Sequence, residues 1–174
     1  MTKCAICRAE FVKRSISHKA CSWACAIELG NRASASRMRK EIKKQREKLK
    51  TRSEWLKEAQ ASFNAFIRER DKDLVCISCG RAHQGQWHAG HYRSVGAAPE
   101  LRFEELNVHK QCAPCNNHRA GNVIEYRINL IKRIGIEKVE WLEGPQSAKK
   151  YTIEEAKNIK EMYKQKLKGL HERL

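Results

Sequence analysis

Apolar residues recur every seven positions at Ile42, Leu49, Leu56 and Phe63, and residues 32–57 contain neither Pro nor Gly. The companion row Met38, Gln45, Arg52, Ala59, Phe66 is apolar only at its ends. One strict seam beside a degraded one predicts a single long helix over 31–73. That helix is a candidate for dimerisation, or equally a solvated helix packed along the edge of the next domain. Further on, Ile124, Ile128, Ile131 and Ile134 share one face of a helix expected to follow Asn122 and to stop at Gly135. A last helix is expected from Thr152, where "TIEE" fits a capping box. Ile153, Ala156, Ile159, Tyr163, Leu167 and Leu170 form its apolar face. The stretches 1–30 and 74–121 lack such periodicity, and no internal repeat or low-complexity tract is present.

Those two aperiodic stretches hold all eight cysteines, in four close pairs: Cys4/Cys7, Cys21/Cys25, Cys76/Cys79 and Cys112/Cys115. Two such pairs supply the four thiolates of a tetrahedral zinc site, so two structural zincs are expected with no cysteine left over. In residues 1–30 a knuckle, a short hairpin around Phe11 and a helix starting near "CSWACAIE" would gather the first four sulfurs. This arrangement resembles treble-clef zinc fingers. His18 is an alternative ligand there, although the four thiolates suffice.

Charge narrows the partner. The chain carries 36 Lys+Arg against 20 Asp+Glu, a formal charge of +16 over 174 residues. A polyanion follows, nucleic acid first and an acidic membrane surface second. No apolar run reaches the roughly 18 residues of a membrane span, and "MTKCAICRAEF" lacks a secretory apolar region. A soluble, intracellular protein is expected. Residues 32–57 alone hold eleven Lys/Arg and three Glu, and Lys40, Lys43, Lys44 and Arg46 are candidate phosphate contacts. Arg93, just after "HAGHY", and Arg119, just after "CNNH", join them.

Residues 74–121 also carry five of the seven histidines, in "HAGHY", "ELNVHKQC" and "CAPCNNH" among others. Cys pairs around such a set resemble the zinc-stabilised HNH (ββα-metal) nucleases. The resemblance implies a strand–loop–strand–helix core clamped at its ends by the cysteines Cys76, Cys79, Cys112 and Cys115. It makes His91 the general base and Asn107 the loop asparagine, which orients the His91 ring or binds the metal. It places the last metal ligand at His118. One departure is Gly90, where the family has a metal-binding Asp or His. Strand alternation puts His88 on the same side as residue 90, so His88 is the candidate replacement. The chemistry fits: a neutral imidazole can deprotonate water, and a divalent ion can neutralise charge developing on the phosphate. His83 and His109 read as surface or supporting histidines. Trp87 and Tyr92 could stack on bases, though packing is the commoner fate of aromatics.

"WHAGHYRSVGAAPELRFEELNVHKQCAPCNNHRAGN", with the amino-terminal cysteines and the basic helix, resembles the phage lambda NinG (Rap) recombination family. That resemblance implies a structure-selective endonuclease cutting D-loops and Holliday junctions. It also implies a catalytic Mg²⁺ or Mn²⁺, a homodimer, and action in the host cytoplasm at the nucleoid with other phage recombination proteins. The expected architecture is α+β: zinc finger (1–30), basic helical linker (31–73), HNH-like core (74–121) and C-terminal helical region (122–174). The competing readings are a non-catalytic zinc DNA-binding protein and an HNH nuclease cutting a duplex sequence.

Overall fold

The basic helical stretch breaks at Lys50, whose backbone is extended (φ −60°, ψ 131°). Thr51 opens a new helix through a capping box. Its hydroxyl accepts the Glu54 N–H at 3.3 Å, and the Glu54 carboxylate accepts the Thr51 N–H at 2.7 Å. Such a cap stabilises a helix start by about 1 kcal/mol. In the computed structural model, which describes residues 1–172, the expected single helix is therefore two: α1 (Trp23–Leu49) and α2 (Arg52–Arg70). The same break separates two compact units, Met1–Lys50 and a second that begins at Thr51.

In the first unit, β1 (Thr2–Lys3) pairs antiparallel with β2 (Glu10–Phe11) across the Cys4–Cys7 knuckle. The Ser22 hydroxyl accepts the Cys25 N–H at 3.3 Å and starts α1. No residue of α1 is buried.

The second unit is built on a two-stranded antiparallel ribbon, β3 (Trp87–His91) with β4 (Val108–Cys112), in a register pairing Trp87 with Cys112 and His91 with Val108. Leu56, Phe63 and Ile67 of α2 are buried against α5 (Ile153–His171), with Ala89 and Val108 of the ribbon joining the same core. Phe63 meets Tyr163 edge-on, with ring centroids 4.7 Å apart. Burying one such aromatic contributes roughly 1.5–3 kcal/mol. A second core gathers Ile77, Tyr92 and Leu101 with α3 (Val123–Ile134) and α4 (Ile136–Glu143).

Three sequence expectations change here. Leu56 and Phe63 belong to the α2–α5 core whereas Ile42 and Leu49 are exposed on α1, so the seven-residue seam does not form one continuous face. The α2 helix thus belongs with the 74–121 core and not to a linker. In α3 the buried residues are Tyr126 and Leu130, with Ile131 and Ile134 beside them, while Ile124 and Ile128 are exposed. Tyr126 takes the inner position because its hydroxyl donates to the Gly90 carbonyl at 2.9 Å, satisfying both buried groups. The helix from Thr152 forms as expected, with its capping box and with Ala156 and Tyr163 buried.

The end of α2 fixes the ribbon. Asp71 is buried; its carboxylate accepts the Lys110 N–H at 3.0 Å and the Arg70 Nε–H at 2.7 Å. Burial opposes ionisation of Asp71, but its partners His109 and Arg70 win and hold its carboxyl well below the usual range. His109 is buried in the same cluster, its Nε2 bonded to the Leu106 carbonyl at 3.2 Å. It is part of the fold, inside the protein and away from solvent.

Candidate catalytic pocket and metal centres

Four sulfurs converge at the base of the ribbon. The Sγ atoms of Cys76, Cys79, Cys112 and Cys115 all lie within 4.8 Å of one another, and the Cys112 N–H points at Cys76 Sγ at 3.4 Å. A tetrahedral zinc with bonds of about 2.3 Å sets its sulfurs roughly 3.8 Å apart. The Cys79–Cys112 separation of 4.0 Å fits that ion. Cys4, Cys7, Cys21 and Cys25 form the same kind of group, with Cys7–Cys21 at 3.4 Å and Cys21–Cys25 at 3.9 Å. Both clusters can hold zinc. His18 stands outside the second of these: its Nδ1 accepts the Arg14 N–H and its ring packs on Phe11. Among the described residues no third group of three or more Cys, His or carboxylate ligands is so close.

Among the described residues β3 has a single strand partner, so its other edge is free of strands. A pocket of about 700 Å³ lies there, lined by His88, His91 and Trp87 of the strand and by Asn116. The facing wall is Gln60, Asn64 and Arg68 of α2, together with Arg102 from the loop between the strands. Among the described residues no carboxylate lines it.

His91 is held as a neutral, oriented imidazole. Its Nε2 lies 3.0 Å from the Arg102 carbonyl oxygen. A carbonyl only accepts, so Nε2 carries the hydrogen and Nδ1 keeps the lone pair. Burial pushes the ring's pKa below the ordinary 6.5, with the carbonyl pulling part of the way back. His88 also lines the pocket, although strand alternation sets it opposite His91. Its Nδ1 sits 3.4 Å from Asn116 Nδ2, while its Nε2 is buried with no hydrogen-bond partner.

Asn107 serves differently. It is fully buried; its Oδ1 accepts the Arg93 N–H at 2.8 Å, and its Nδ2 donates to the carbonyls of Arg93 and Leu101 at 3.0 and 3.1 Å. All its bonds go to backbone, so it staples the loop that carries Arg102 to His91. It positions the site and does not touch the pocket. His118 ends the five-residue π turn Pro114–His118 and is exposed, outside the pocket's lining. Asn116, two residues earlier in "CNNH", is the residue brought to His88.

Gly90 has a packing reason. A Cβ there would stand 2.0 Å from Gln111 Oε1 and 2.9 Å from Gln111 Cβ. Gln111 is itself fixed, its Nε2 donating to Ser78 Oγ and the Gly121 carbonyl, both at 2.6 Å. A side chain at position 90 would require Gln111 to move.

The remaining candidates spread out. Arg93 bonds the Glu143 carbonyl, and Arg119 lines a separate pocket of about 470 Å³ with Arg81 and His83 beside the second cysteine cluster. Tyr92 is buried with its hydroxyl on Glu143, so it is unavailable to a base. Trp87 keeps one face under the Lys110 ammonium, 4.1 Å from the ring centroid. Lys40, Lys43, Lys44 and Arg46 are exposed on α1. Sequence reasoning missed Asn116, Arg102 and the α2 wall. Only Asn116 left a trace, as the first polar residue after Cys115.

The family model described as "Bacteriophage Lambda NinG protein" matches residues 1–173. The chain belongs to the NinG family. It is 45% identical over 190 residues to "Protein ninG" of Escherichia phage 933W, covering 97% of this chain and 92% of that one. The NinG protein of Escherichia phage lambda is 57% identical over 122 residues, 70% of this chain and 60% of its own. That of Salmonella phage P22 is 56% identical over 124 residues, 71% and 61% respectively. No solved structure matches this NinG-family chain. No helix among its described residues is long and apolar enough to cross a membrane.

Proposed function

We propose that this NinG-family protein is a metal-dependent HNH-type endonuclease that cuts branched DNA, D-loops and Holliday junctions, in phage recombination. The observation that carries the reading is the pair His91 and His88 in one carboxylate-free pocket, one with its tautomer set and one with a buried, partnerless nitrogen. The order β3, loop, β4, turn, α3, clamped by four cysteines, supports the HNH assignment.

Nδ1 of His91 takes a proton from the attacking water. The fixed ring and depressed basicity keep that nitrogen free near neutrality. His88 is the residue that would hold a divalent ion through Nε2, with the Asn116 amide turned so that its Oδ1 accepts the Nδ1 hydrogen and leaves Nε2 its lone pair. A bound cation there supplies a Lewis acid for the charge that grows on the phosphate. An imidazole donor without a carboxylate suits Mn²⁺ better than Mg²⁺.

The exposed Lys40, Lys43, Lys44 and Arg46 of α1, with no ion pair among the described residues, are suited to holding duplex arms by their phosphates. A two-fold junction calls for two active sites and so for a homodimer. With Leu56 and Phe63 buried, the apolar residues left for such pairing along the basic stretch are Met38, Ile42 and Leu49 of α1. The test is a labelled four-way junction competed against linear duplex, with Mn²⁺ or Mg²⁺ supplied. Paired nicks in the junction support the proposal. Equal cutting of duplex moves the substrate to duplex DNA, and no cutting leaves a non-catalytic zinc DNA-binding protein.

A further inference from the structure

Arg102 contributes its carbonyl to His91, yet its guanidinium makes no ion pair among the described residues. It is half-buried, and its Nε donates to Gln60 Oε1 at 2.8 Å. Nη2 reaches the Leu56 carbonyl at 3.5 Å. Both partners are neutral. Gln60 is in turn fixed by donating to Asn64 Oδ1 at 2.8 Å. Arg68, on the same wall, makes no ion pair or hydrogen bond among the described residues. Burying part of a cation without a carboxylate is unfavourable unless something else compensates. Here two arginines and two histidines line one pocket that, among the described residues, has no acidic side chain. The positive field is left for a ligand.

Resting on the nuclease reading above, we infer that Arg102 is a catalytic residue that binds the scissile phosphate, with Arg68 holding a phosphate beside it. The ligand class is a phosphodiester anion. An arginine fork tethered on one side by Gln60 presents its remaining N–H groups in a fixed direction, which suits phosphate oxygens. The same residue thereby orients the base through its backbone and the electrophile through its side chain. A mere tether between the loop and α2 would need no charge at all.

The test uses the full-length protein and a junction with one neutral methylphosphonate at the cleavage position mapped with the wild type. The variant is Arg102→Met, with Arg102→Lys alongside; both keep the backbone carbonyl that His91 uses. Wild type should be slowed by about a hundredfold or more when the phosphate charge is removed, in the range for losing a preorganised electrostatic contact. Arg102→Met should be slow on the normal junction but lose little more on the neutral one. Arg102→Lys, with charge but no fork, should fall between. Equal penalties in wild type and Arg102→Met would overturn the assignment, as would wild-type cleavage by Arg102→Met. Failure of both variants to fold would also overturn it, by giving the side chain to the fold. If wild type cuts no junction at all, the nuclease reading itself has failed, which is a different result.

Discussion

His91 Nε2 and the Arg102 carbonyl oxygen, 3.0 Å apart, fix which nitrogen of the imidazole can act as a base. Burial lowers the ring's pKa from the ordinary 6.5. A base works only when unprotonated, so activity should be lost as pH falls through that lowered value and be flat across neutrality. Single-turnover cleavage measured over about pH 5 to 8 reads this directly. An acid limb with its midpoint above 7 would contradict a desolvated His91.

Gly90 should resist substitution for reasons of space. Gly90→Ala places a methyl against the Gln111 side chain at 2.0 Å, and overpacking of this kind costs about 1–3 kcal/mol. Denaturant unfolding measures the loss. In a Gln111→Gly background, which removes the obstructing atoms, the same change should cost much less. Equal costs in both backgrounds would mean that Gln111 is not the obstacle.

Elemental analysis should give about two zinc ions per chain, one for each group of four thiolates. Cys112→Ser should lower the content to about one and loosen the start of the ribbon, where Cys112 pairs with Trp87. A wild-type content near one would remove one cluster from the account.

The α1 charges should govern salt dependence. Each phosphate contact contributes a slope of roughly −0.9 in log affinity against log salt. Neutralising Lys40, Lys43, Lys44 and Arg46 together should make the slope shallower by about three units, for junction and duplex alike. Zinc content should stay the same. An unchanged slope would move the phosphate contacts to the lysine-rich α5.

What was legible in the sequence was chemistry with fixed spacing. Four cysteine pairs announce two clusters because a tetrahedral metal tolerates few separations. The Thr152 capping box announces a helix start because its partners are local. Thr51 and Glu54 carry the same signal inside "TRSE", but the seven-residue apolar row ran through it and hid the break. Periodicity records that residues share a face and not what the face meets, so Leu49 and Phe63 look alike although one is exposed and the other buried. The site's missing half had a similar cause. Arg102 reaches the pocket because Asn107 folds the loop back by three backbone hydrogen bonds, a tertiary event without a local mark. Asn116 and not His118 lines the pocket, within a π turn over Pro114–His118 that leaves no local mark in the sequence.

The most direct test of the central claim is the cleavage rate of saturating His91→Ala protein on a four-way junction, with binding measured on the same preparation. The account predicts affinity close to wild type and a rate lower by about a hundredfold or more, the range for losing a general base. Wild-type cleavage by His91→Ala would remove His91 from the chemistry and, with it, the reading of this pocket as the nuclease site.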